Sequence, residues 1–144
     1  MANKKIWLGM LVMVLAFGIA VPSYSADQGG ILTITNIPIR FNGKFVVMEG
    51  YDGGSIYIGG AQKWDSESIT GAPISNGKAS IPLWIEDGDT LVRYAGNRTF
   101  AFKVIIYDLP SAEDSIARLD FWNIKFSNGS ATVSFQDADK FQDW

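Results

Sequence analysis

The chain has 144 residues, 47% of them hydrophobic and 19% charged, with a formal net charge of −3 and neither histidine nor cysteine. Without those two residue types it cannot build a Ser-His-Asp triad, a cysteine nucleophile, an ordinary zinc site or a disulfide. Its acidic balance also argues against nucleic acid or an anionic membrane as partner, since both require a basic face.

The first segment addresses the compartment. Lys4 and Lys5 precede an uncharged apolar run, Ile6 to Val21, and Pro22 ends it before the small residues of "SYSA". Basic start, apolar stretch and small-residue site together form the pattern of a secretory signal peptide. At sixteen residues the run falls short of a comfortable membrane span. We expect residues 1–25 to be a signal helix cleaved after Ser25, and residues 26–144 to be one exported domain, secreted or periplasmic. No cysteine follows the run, which excludes a lipid-modified N-terminus. With Lys4 and Lys5 set aside, the 12 basic side chains fall to 10 against 15 acidic ones.

Beyond Gly29-Gly30 the pattern has period two. "ILTITNI" (31–37), "KFVVMEGY" (44–51), "SIYIGG" (55–60), "KASIPLWIE" (78–86), "RTFAFKVIIYDL" (98–109), "LDFWNIKF" (119–126) and "ATVSF" (131–135) alternate, and Gly, Asn, Asp or Pro bound them. Such runs read as strands. One face of the fourth carries Ala79, Ile81, Leu83 and Ile85; one face of the fifth carries Phe100, Phe102, Val104 and Ile106. Asn128-Gly129 sits between two such runs and suits a two-residue hairpin, as do Asn42-Gly43, Asn76-Gly77 and Asp52-Gly53. The stretch 109–119, "LPSAEDSIARL", reads either as one or two helical turns opened by Ser111 and Asp114 or as a polar crossover. The acidic tail "DADKFQD" reads as solvated and frayed. About seven short strands with regularly spaced turns predict an all-β chain, a single antiparallel β-sandwich or small barrel with an aromatic core.

The glycine-rich run "MEGYDGGSIYIGGAQKW" (48–64) lacks the spacing and the following helix of a phosphate loop, and has too few acidic ligands for a calcium loop. Turns and bulges account for its glycines. No cofactor is expected. The best hard-cation candidate is Glu86, Asp87 and Asp89 around Gly88, which would take calcium if completed by further oxygens. Strands as short as "ATVSF", with Lys140 and Gln142 on the row of Trp144, argue against membrane insertion as a β-barrel. Asn97-Arg98-Thr99 and Asn128-Gly129-Ser130 have the form of a glycosylation sequon and carry no weight here.

Three residues are candidates for a ligand-binding surface. Trp84 lies on the row opposite Ile81, Leu83 and Ile85; Trp64 lies in the polar "QKWDSES"; Tyr94 follows the acidic turn. An aromatic on a solvent-facing row offers a platform for a sugar ring or a partner protein. The competing reading puts Trp84 beneath the "QKWDSES" loop as a cap on the core. Trp122 is read as core.

In order, "LTITNIP", "NGKFVV", "GGSIYIGGAQ", "NGKASIPLW" and "IKFSNGSATVSF" make the mature chain similar to a group of small exported bacterial β-domains with an L-T-I-T-x-I-P…N-G-K opening and a late F-x-N-G hairpin. That resemblance implies the compartment and a single β-domain, and no activity. The expected function is an exported, non-enzymatic binding or structural module for a glycan or protein. The alternatives are a calcium- or carbohydrate-binding module, and a small glycoside hydrolase drawing two acids from Glu49, Asp52, Glu86 and Asp120.

Overall fold

In a computed structural model the described residues are 29–52, 55–63, 68–87 and 90–144. The expected signal peptide, Trp64, Gly88 and Asp89 lie outside them. Within the described residues the chain is all-β, with no α-helix. The strands are β1 (Gly30–Thr35), β2 (Phe45–Asp52), β3 (Ser55–Gly59), β4 (Gln62–Lys63), β5 (Ile69–Thr70), β6 (Ala72–Pro73), β7 (Ala79–Asp87), β8 (Thr90–Arg93), β9 (Thr99–Tyr107), β10 (Ser115–Lys125), β11 (Ser130–Ser134) and β12 (Lys140–Asp143). Single 3-10 turns span Ile39–Phe41 and Phe135–Asp137.

Ten of these strands form one sheet, ordered β11-β1-β7-β3-β2-β9-β10-β12, with β6 added beside β2 and β8 beside β7. The sheet is open and curls into a half-barrel. Strands β4 and β5 pair separately. The seven predicted runs all become strands; the further strands are two to four residues long and carry too few positions for a period to show.

The pleat explains where the core lies. Directly paired residues point to the same face. Ile34↔Val133, Leu32↔Ile81, Leu83↔Gly59, Gly59↔Met48, Met48↔Val104 and Val104↔Leu119 therefore line one continuous inner face. Except for the glycine, each is a core residue. Gly59 is required by its neighbours: a Cβ there would lie 2.7 Å from both Ile81 Cγ2 and Leu83 Cδ2.

Aromatic rings fill the rest of the hollow. Phe100 stacks on Phe126 (4.7 Å, 10°) and on Tyr57 (4.8 Å, 27°), and Tyr94 meets Tyr57 edge-on at 5.1 Å. A second cluster, Phe41, Phe135 and Phe141, joins the 3-10 turns to the edge strand β12 with centroids 5.1–6.5 Å apart.

Turn chemistry follows the sequence. Asn76-Gly77 (φ 53° and 70°) and Asn128-Gly129 (φ 52° and 78°) have the paired positive φ of tight hairpin turns. At the second, the Ser127 and Ser130 N–H groups each donate to the other's carbonyl, at 2.9 and 3.0 Å. The strands then part: β11 pairs in parallel with β1, whereas β10 pairs with β9 and β12. Asn42-Gly43 differs, because Asn42 keeps a negative φ (−58°) and only Gly43 is positive (83°), a type II turn.

Of the two readings of 109–119, the structure has the non-helical one: residues 109–114 form turns, Ala112 and Asp114 have positive φ, and β10 has begun by Ser115. Two expectations are corrected. The acidic tail is not frayed. Lys140–Asp143 pairs with Ala117–Asp120, Asp143 meets Arg40 at 2.7 Å, and the Trp144 N–H donates to the Ile116 carbonyl. Finally, Trp122 is not core but 53% exposed. Leu119 and Phe121 point inward, so alternation sends Asp120 and Trp122 outward.

Candidate functional site

The outer face of the sheet carries an in-register row. Arg93↔Trp84, Trp84↔Ile58, Ile58↔Glu49, Glu49↔Lys103, Lys103↔Asp120 and Asp120↔Lys140 run across β8, β7, β3, β2, β9, β10 and β12. Toward β12 the row alternates in charge. Lys103 Nζ lies 3.3 Å from Glu49 Oε2, and Arg118 contacts Asp120 Oδ1 at 3.0 Å. The four charged groups thus compensate one another locally.

Next to this row stand two exposed rings, Tyr51 on β2 and Trp122 on β10, with 67% and 53% exposure. Between them on β9 is Ala101. Phe102 pairs with Gly50 on one side and Phe121 on the other. One residue along, Ala101 therefore lies beside both Tyr51 and Trp122. Two strand spacings put these two positions about 10 Å apart. The result is a slot with aromatic walls and a methyl floor. It opens onto Glu49, Lys103 and Asp120, in a depression of about 420 Å³.

The slot rests on paired strands. A register shift between Phe121 and Ile124, with Asn123 at φ 57°, ends regular pairing just past Trp122. At that point the Trp122 N–H donates to Asp139 Oδ2 at 2.8 Å, and the Asp139 N–H donates to the Asp120 carbonyl at 2.8 Å. The tail strand thus braces one wall of the slot.

A second depression of about 510 Å³ shares Glu49 and continues toward Val47, Ile69 and Tyr107. The short 68–73 segment and the 108–114 turns form its rim, tied by the Gly71 N–H donating to the Pro110 carbonyl at 2.8 Å. Val47 is buried although it alternates with the inward Val46 and Met48. Burial pushes the Tyr107 hydroxyl above its ordinary pKa, and the nearby Glu49 carboxylate adds to the shift.

The residues singled out from sequence fare unequally. Trp84 does face outward, but it is half-buried, with the Arg93 guanidinium over its ring at 5.1 Å. Its Nε1 and Arg93 Nε are buried and have no hydrogen-bond partner among the described residues. Tyr94 is 1% exposed and belongs to the core cluster, so it offers no surface. Trp64 lies outside the described residues. Of the calcium candidates, Glu86 lies part-buried on the outer face of β7, Asp87 ends that strand, and Asp89 is outside the described residues. No group of three or more potential ligands gathers among the described residues. Of the four acids considered for hydrolysis, Glu49 and Asp120 both line the depression, and each is ion-paired there, with Lys103 and Arg118 respectively.

Sequence reasoning missed Tyr51, Trp122 and Ala101 as a set. Each is outward by simple alternation, yet only the pairing of β2, β9 and β10 brings them together. Comparison with known proteins finds no matching family model, no matching curated protein and no matching solved structure.

Proposed function

We propose that this chain is an exported, non-enzymatic binding module of the periplasm or cell surface, which presents its ligand site on the outer face of a small, partly closed β-barrel. The observation that carries this reading is the pair of exposed rings, Tyr51 and Trp122, held on paired strands across Ala101. Large exposed aromatics in a fixed frame are costly in water and suited to an apolar partner surface. Export rests on the Lys4-Lys5 and apolar-run pattern of residues 1–25. The hydrolase alternative has less support, because Glu49 and Asp120 are each engaged in an ion pair with a neighbouring Lys103 or Arg118.

The test combines two assays. Purified protein is incubated with isolated cell-envelope material, and with a panel of chromogenic glycosides. We expect retention on the envelope fraction that falls in Trp122→Ala, and no turnover. Glycoside cleavage that vanishes in Glu49→Gln or Asp120→Asn would overturn the reading in favour of an enzyme. Mass spectrometry of the native protein tests export, for which the expected N-terminus is Ala26.

A further inference from the structure

We infer that the outer face binds a neutral polysaccharide chain, seated with one sugar ring in the Tyr51–Ala101–Trp122 slot and the chain running along β2 and β9 past Glu49 toward Tyr107. This rests on the binding-module reading and adds the ligand class, the position and the direction.

Three observations converge. First, the slot matches a sugar ring in chemistry. A pyranose ring has apolar C–H faces and a polar rim, so it stacks on aromatic faces while its hydroxyls seek hydrogen bonds. Tyr51 and Trp122 supply the faces, and Ala101 leaves the floor open. Lys103, Glu49 and Asp120 border the floor and supply both donors and acceptors, as hydroxyls require.

Second, the charge pattern selects a neutral ligand. Glu49 pairs with Lys103, and Asp120 with Arg118, so the depression has no surplus of either sign. An anionic polymer would need uncompensated cations. A cationic peptide would need free carboxylates.

Third, the site is elongated. The slot and the second depression both have Glu49 in their lining and so lie end to end along β2 and β9. From Ala101 to Tyr107 on β9 the two together cover about 20 Å at the rise of an antiparallel strand. That length suits a chain of sugars and exceeds what one small ligand would occupy. At the far end Tyr107 provides a further, half-buried ring, with Thr70 and Ser111 on the rim.

Affinity electrophoresis provides the test. The purified protein is run through native gels containing mixed-linkage β-glucan, arabinoxylan, galactomannan or hydroxyethyl cellulose, with alginate and heparin as anionic comparisons. At least one neutral polymer should retard the protein, and retardation should be unchanged between low and high salt because no ion exchange takes part. Trp122→Ala should weaken binding about tenfold or more, as expected for a central aromatic contact. Ala101→Phe, which fills the slot from an exposed position, should abolish binding while leaving the unfolding midpoint unchanged. Tyr107→Ala should weaken long chains and spare short oligosaccharides.

No retardation by any neutral polymer overturns the inference. So does retardation by the anionic polymers alone, or neutral-polymer binding that survives Ala101→Phe. Failure here, together with envelope retention that still depends on Trp122, leaves the binding module standing with a different ligand and separates the two claims.

Discussion

The two faces of the curled sheet use aromatic residues in opposite ways. On the inner face, Tyr57, Tyr94, Phe100, Phe102, Phe121 and Phe126 touch one another and are at most 6% exposed. On the outer face, Tyr51 and Trp122 are kept apart by an alanine and stand open to solvent. Inside, rings are load shared among neighbours, so loss of any one leaves a hole. Outside, the same chemistry contributes little to folding and is free to meet a partner. Strand β10 carries one ring of each kind, Phe121 turned inward and Trp122 turned outward, so period-two alternation alone sends adjacent rings to opposite faces.

Substitutions should sharpen this contrast. The largest loss is expected inside. Phe126→Ala removes a ring that is 0% exposed and stacked on Phe100, and should cost ~3–5 kcal/mol in denaturant unfolding. Gly59→Ala comes next. Its Cβ meets Ile81 and Leu83 at 2.7 Å, and overpacking of this kind costs ~1–3 kcal/mol; an unchanged midpoint would show that β3 and β7 can spread. On the outer face, Glu49→Gln should change stability by less than ~1 kcal/mol, because its pair with Lys103 is solvent-accessible, and the difference should shrink with added salt. Trp122→Ala should stay within about 0.5 kcal/mol of the parent, as exposed substitutions usually do.

The smallest effect is confined to alkaline pH. Tyr107 holds its proton more tightly when folded than the ordinary tyrosine value near 10. A raised folded pKa gives stability that is complete below the unfolded value and is lost as pH rises through the folded one. Stability should therefore decline above about pH 10 through this group, and Tyr107→Phe should remove that part of the slope. A pH series of unfolding midpoints read for both proteins would settle it.

Much of this arrangement was legible in the chain itself. The alternating runs placed Ala79, Ile81, Leu83 and Ile85, and likewise Phe100, Phe102, Val104 and Ile106, on buried faces, and all are buried except Ile85, which is partly buried against the core. Asn128-Gly129 marked its turn. The slot was less visible, for physical reasons. Its walls come from β2 and β10, which are not adjacent in sequence, and no local pattern states that β9 lies between them. Trp122 was misjudged because its type suggested core, while the neighbouring Leu119 and Phe121 already assigned it outward. Tyr94 was misjudged because "RYAGN" is too short and polar to show a period, so the ring's path into the core depends on the packing of Phe100 and Phe126. The tail looked soluble by composition, yet backbone pairing with β10 and the Arg40–Asp143 contact order it.

The parallel pairing of β1 with β11 also has a kinetic meaning. Thr35 and Val133, joined through the Thr35 hydroxyl, stand 98 residues apart in the chain. The first strand can acquire its second neighbour only after nearly everything between has been made and the 127–130 turn has redirected the chain. Loop closure over such a distance must precede the contacts that reward it, so this protein should fold slowly, on the millisecond-to-second scale of β-rich topologies. Until then one side of β1, including Ile31 and Thr33, presents unpaired amides to any other extended chain nearby. A chain with this topology gains from staying dilute or escorted between synthesis and the arrival of β11.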